Sequence, residues 1–230
     1  WTAGGALIVA RRQLAGAGEQ NAALAFGGYG NGQQGHVSCT EEYNGTSWAT
    51  GGALINGRSQ LAGAGEQNAG LAFGGSSLSP SYGARSCTEE YNGTSWATGG
   101  ALITARGSLA GAGTQNAGLA FGGQYSNYSE EYNGTSWATG GALIVARCNL
   151  AGAGTQNAGL AFGGYTPGPP YTVSCTEEYN GTSWAAGGAL IVARRYLAGA
   201  GTQDAGLAFG GSPTVSCTEE YDKVISTCTL

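Results

Sequence analysis

The chain has 230 residues, 41% of them hydrophobic and 10% charged, with a formal net charge of −5. That is enough apolar surface for a packed core and too little charge for a disordered chain. Nine basic residues without a basic run argue against a nucleic-acid partner, and no apolar stretch reaches the length of a membrane-spanning helix.

Glycine supplies 45 residues, but without a G-X-Y period, so we read it as tight turns and close strand packing rather than collagen. The start shows no secretory-leader pattern. A first residue that is Trp rather than Met fits a processed chain or part of a longer one.

Along the chain one unit recurs. Trp1, Trp48, Trp96, Trp137 and Trp184 are spaced by 47, 48, 41 and 47 residues. After each Trp come an apolar stretch ending in Arg, a run of small residues, a double glycine, a variable stretch and the triplet Glu-Glu-Tyr. A period in the forties with strand patterns inside it predicts propeller blades. We therefore expect one domain over 1–230, with units of about 1–47, 48–95, 96–136, 137–183 and 184–230.

Within the second unit, Leu61 to Gly65 is nearly all small and suits an innermost strand crowded around an axis. Gly70 to Gly74 alternates with period two, Leu71 and Phe73 on one face and Ala72 and the glycines on the other. A bulky face can then stack on the small face of the next blade. Cys87 to Tyr91 is the third strand. Asn92-Gly93 is read as a two-residue type I′ turn into a fourth strand from Thr94 through Trp96.

The ordered set of Arg, Gly-Gly, Tyr and Trp, repeated along essentially the whole chain, resembles the kelch motif. The resemblance implies an all-β, five-bladed propeller of four-stranded antiparallel blades. It implies no function, because propellers host many. The array is also similar to kelch-like repeats of bacteriophage virion and tail-associated proteins. Trp1 opens a fourth-strand sequence with no third strand before it, while the last unit ends without a Trp. The expected closure lays the Trp1 strand on the outside of the C-terminal blade. The competing arrangement fills that place with Val224 to Thr227.

Arg11, Arg58, Arg106, Arg147 and Arg194 either form a ring of anion or sugar binders or pair structurally with the glutamates of the Glu-Glu-Tyr strands. Their equal numbers favour pairing, which needs good geometry to offset the burial of charge. Neighbouring glutamates on a strand point to opposite faces, which argues against a catalytic carboxylate pair. Cys39, Cys87, Cys175 and Cys217 share one repeat position, at which we read Ser129 in the third unit, and are expected to remain unbridged to one another. Cys217 and Cys228 fall opposite each other if Asp222-Lys223 is a turn, so a disulfide is expected there. Cys148 has no evident partner. One His and no close Cys pair argue against a metal site. The Asn-Gly-Thr sequons at Asn44, Asn92, Asn133 and Asn180 are explained by turns, glycosylation being the other reading. The five Trp residues are read as structural.

Comparison of the repeats locates the variable positions. One set follows the double glycine: 29–37, 76–85, 124–128, 165–173 and 212–215. The other flanks the repeat Arg, as in Arg12-Gln13 and Arg195-Tyr196. In an up-and-down blade both sets share one face. Tyr29, Tyr82, Tyr125, Tyr128, Tyr165, Tyr171, Tyr196, Arg12 and Arg195 are the candidate binding residues there, in the Tyr, Ser, Gly and Asn chemistry of adaptable binding loops. We expect no enzyme activity and no cofactor. The expected function is a binding or structural module for a carbohydrate or protein ligand, on an extracellular or virion surface, with other subunits of a larger assembly as further partners. An intracellular kelch-type adaptor is the alternative, and a propeller enzyme a third reading.

Overall fold

Each repeat folds as an antiparallel sheet whose strands run outward from the axis in chain order. The computed structural model describes residues 2–31, 35–77, 83–214 and 216–223. Blade 1 is Ala15–Glu19, Ala22–Phe26, Thr40–Tyr43 and Trp48–Gly51. Blade 2 is Ala62–Glu66, Ala69–Phe73, Thr88–Tyr91 and Trp96–Thr98. Blade 3 is Ala110–Thr114, Ala117–Phe121, Ser129–Tyr132 and Trp137–Thr139. Blade 4 is Ala151–Thr155, Ala158–Phe162, Thr176–Tyr179 and Trp184–Ala186. Blade 5 has three strands among the described residues, Ala198–Gly201, Ala205–Phe209 and Thr218–Asp222. The whole is a five-bladed β-propeller.

The small residues sit where the geometry requires them. Innermost strands of consecutive blades lie side by side. Leu71 and Phe73 are fully buried and project onto blade 3. A Cβ on Gly118 would lie 2.6 Å from Leu71 Cδ2, and one on Gly111 2.4 Å from Phe73 Cζ. Each bulky face is thus received by glycine in the next blade, at interior packing density.

The Asn-Gly connection differs from the expected two-residue turn. Tyr91 pairs directly with Trp96, so Asn92 to Ser95 form a loop and the fourth strand starts at Trp96. Only Gly93 has a positive φ there, +86°, whereas a type I′ turn needs two such residues. Asn92 Oδ1 instead accepts from the Thr94 and Ser95 amides at 3.0 and 2.9 Å. The side chain does what a second left-handed residue would have done, and the same bonds recur at Asn44, Asn133 and Asn180.

A fixed set of bonds joins blade to blade. The Trp96, Trp137 and Trp184 indoles donate to Thr40, Thr88 and Ser129 hydroxyls of the preceding blade. Tyr91, Tyr132, Tyr179 and Tyr221 donate to Glu42, Glu90, Glu131 and Glu178 of the preceding blade. The Gln67, Gln115, Gln156 and Gln203 amides each donate to two carbonyls of the preceding blade. The Trp184 bond also corrects the alignment of the third unit. Ser129 takes the place of Thr88, and Tyr128 takes the place of Cys87.

Between blade 5 and blade 1 the packing of the other four boundaries is not repeated. Among the described residues none of these bonds recurs there, and the Trp48 indole donates to Gly5 O instead. A Cβ on Gly210 would meet nothing within 4 Å, whereas at Gly27, Gly74, Gly122 and Gly163 it would strike the next blade's Arg carbonyl. Blade 1 also has Ala23 where blades 2 to 5 have Gly70, Gly118, Gly159 and Gly206. Those four glycines each leave 2.6–2.7 Å between a would-be Cβ and the preceding blade's Leu, so the methyl of Ala23 is incompatible with the same approach by Leu207.

The cavity at the outer edge of blades 4 and 5, about 330 Å³, is lined by Phe162, Thr176 and Tyr221 among others. These correspond to the Phe, hydroxyl and Tyr that surround Trp184 in the preceding seam. It is therefore the tryptophan slot of the last blade. Trp1, Tyr82, the stretch Val224 to Thr227 and Cys228 all lie outside the described residues. The Trp that opens the expected closing strand and the partner expected for Cys217 fall there with them, whereas Thr2 and Ala3 are described and form no strand.

Candidate functional site on the variable-loop face

The five repeat arginines are side chains of the blade interior. Arg11, Arg58, Arg106, Arg147 and Arg194 form ion pairs with Glu41, Glu89, Glu130, Glu177 and Glu219, each pair nearly sealed from solvent. The Arg58–Glu89 distance is 2.6 Å. The same Glu89 accepts from the Ile55 amide at 2.6 Å, so one carboxylate holds both the arginine and the connection entering the blade. Arg58 Nη1 also donates to Cys87 Sγ at 2.8 Å, and Arg147 to Cys175 Sγ. Burial pushes the Cys175 thiol above its usual range. The second glutamate of each doublet in blades 1 to 4 accepts the tyrosine hydroxyl of the next blade. Of these nine carboxylates, five thus tie a blade to its own entering connection and four tie it to the next blade.

In blades 1, 2, 4 and 5 the two variable segments are bonded to each other. Arg11 and Arg12 pair with Gly30 and Tyr29. Ser59, Cys148 and Arg195 bridge to Ser76, Tyr165 and Ser212. A further feature escaped the sequence reading. Gln13, Gln60, Ser108, Asn149 and Tyr196 all have φ between 53° and 58°, a left-handed conformation unusual for non-glycine residues. From blade 2 onward, the amide of each donates 2.9 Å to the carbonyl of its counterpart in the preceding blade. Together they line the mouth of a central cavity of about 530 Å³. Because four different residue types occupy this position, no residue signature announced it.

On this face an aromatic cluster spans blades 3, 4 and 5. Tyr125 lies 6.0 Å from Tyr165, and Tyr165 stacks on Tyr171 at 5.9 Å with planes 17° apart. The Arg195 guanidinium lies 4.5 Å from the Tyr165 ring centre and 5.6 Å from that of Tyr196. Tyr125, Tyr171 and Tyr196 are exposed. The Cys148 thiol beside Tyr125 is buried, and burial raises its pKa. A smaller group sits on blade 1, where Arg12 covers Tyr29 at 4.8 Å and the Tyr29 ring meets His36 edge-on. Burial, and then Arg85, hold the His36 imidazole below its usual range. Tyr128 is exposed but stands apart from both groups, its carbonyl accepting from Arg106 at 2.7 Å.

Cys39, Cys87, Cys148, Cys175 and Cys217 are free thiols, so the bridge expected from Cys217 is not formed in this structure, and no group of three or more potential metal ligands occurs among the described residues. No helix is long and apolar enough to cross a membrane. Compared with protein-family models and with curated proteins, the chain matches none.

Proposed function

We propose that this propeller is a non-catalytic, kelch-like recognition module that presents its variable-loop face to a ligand. The observation that carries the reading is the cluster of Tyr125, Tyr165, Tyr171, Tyr196 and Arg195, set among loops that differ from blade to blade. Aromatic rings with polar edges suit sugar rings or a protein hot spot. Near-identical blades suit weak, multivalent capture. The likeness of the repeats to virion-associated arrays favours a surface or virion location, with other subunits of an assembly as neighbours. The test is a glycan array followed by mapping of the bound ligand by amide chemical shifts. Perturbations should fall on 124–128, 165–173 and 195–196. Perturbations confined to the Asn-Gly turns of the opposite face would refute the reading.

A further inference from the structure

The charges of the molecule are sorted by face. Of the nine basic residues, five are the buried arginines paired with glutamate, and Lys223 pairs with Glu178 at 2.8 Å. The remaining three, Arg12, Arg85 and Arg195, all lie in the variable segments. Those segments contain no Asp or Glu at all. Of the exposed carboxylates, Glu19, Glu66 and Asp204 sit at the opposite end of the blades, beside the turns between first and second strands, and Glu220 and Asp222 lie in the third strand of blade 5. A chain of net charge −5 therefore carries one face with cations and no carboxylate.

Arg195 is the cation placed within the aromatic cluster. It makes no ion pair among the described residues, and its Nε is buried without a hydrogen-bond partner. Contact with Tyr165 and Tyr196 restrains the planar guanidinium and leaves its hydrogen-bonding capacity unspent. A guanidinium so held is suited to bidentate recognition of a carboxylate or sulfate. The rings beside it offer flat apolar surface for the face of a pyranose. We infer that the ligand of this face is an anionic glycan, its acidic group on Arg195 and a sugar ring on the exposed Tyr171. This deepens the recognition reading above and rests on it. A glycan is favoured over an acidic peptide because the exposed large side chains of the cluster are tyrosines.

The experiment titrates the intact protein with 3′-sialyllactose, a glucuronate disaccharide, a 6-sulfated lactose, unmodified lactose, the methyl ester of the glucuronate disaccharide, and an Asp/Glu hexapeptide. The same titrations are run on Arg195→Gln and Arg195→Lys, with thermal melts as a check on folding. A charge-assisted hydrogen-bonded pair predicts at least about tenfold tighter binding of an acidic sugar than of its neutral counterpart. Arg195→Gln should remove that margin, and Arg195→Lys should restore only part of it. Carboxylate and sulfate arms separate the two sources of the anion. Neutral sugars binding as tightly at the same loops would overturn the inference and leave the recognition reading standing. Binding of the peptide alone would overturn it in favour of a protein ligand. Absence of binding by any probe would overturn it as well, and shifts restricted to the opposite face would overturn both.

Discussion

Gly70 in blade 2 faces Leu24 of blade 1 so closely that a Cβ on it would lie 2.7 Å from Leu24 Cδ2. The chain repeats this relationship at Gly118, Gly159 and Gly206 and breaks it at Ala23. Glycine here is a packing residue, because none of these four has a positive φ.

Gly70→Ala should therefore destabilise through overpacking, by about 1–3 kcal/mol. Ala23→Gly meets no such constraint and should cost only the backbone entropy of glycine, roughly 0.5–1 kcal/mol. Denaturant unfolding measures both. A large gain in stability from Ala23→Gly would show instead that Leu207 packs on blade 1 as Leu24 packs on blade 2.

The contrast explains what the sequence made legible. Blade number, strand order and the bulky-into-small stacking follow from residues that repeat because packing allows little else, such as Leu71, Phe73 and Gly118. The Asn92 loop departs from the expected turn because Asn-Gly has two uses, and only the Tyr91–Trp96 register separates them. The cluster at Arg195 was legible only as variable loops rich in Tyr. Which tyrosines meet is decided by loop geometry, which leaves no period in the chain.

The buried Arg58–Glu89 pair gives a second test. Glu89→Gln leaves a cation in the interior and strips its partner, which costs about 3–5 kcal/mol for pairs of this kind. Arg12→Gln on the loop face should change stability by no more than roughly 0.5 kcal/mol. Equal effects in thermal or chemical melts would mean that the interior pair is not a structural tie.

Stability should also fall in strong alkali. Burial, and then the hydrogen bond to Glu90 or Glu131, push the Tyr132 and Tyr179 hydroxyls up to about 12 from an ordinary value of 10.0. A raised folded-state pKa means that the native state holds the proton more tightly than the unfolded chain. The stabilisation is complete below pH 10.0 and is lost as pH rises through about 12. Replacing both with Phe should flatten the stability profile across that window, while removing the two bonds at neutral pH. An unchanged alkaline slope in the double variant would rule out these phenols as its source.

The last prediction separates recognition from architecture. Trp96 is buried between Phe26 of blade 1 and Tyr91 of its own blade, with ring centres 4.9 Å away in both cases, and its indole donates to Thr40. Trp96→Ala removes a large aromatic from a seam and should cost about 3–5 kcal/mol. Tyr171 is 52% exposed and stacks only on Tyr165 at the loop surface. Tyr171→Ala should leave the melting transition within the range of an ordinary surface substitution, about 0.5 kcal/mol. If the cluster is the binding site, the same change should weaken the ligand found on the glycan array about tenfold, the scale of an aromatic contact together with its buried area. Trp96→Ala, measured well below its melting point, should leave that affinity intact, because its surroundings lie within the seam between blades 1 and 2. Loss of binding in Trp96→Ala together with full binding in Tyr171→Ala would place the ligand on another part of the ring.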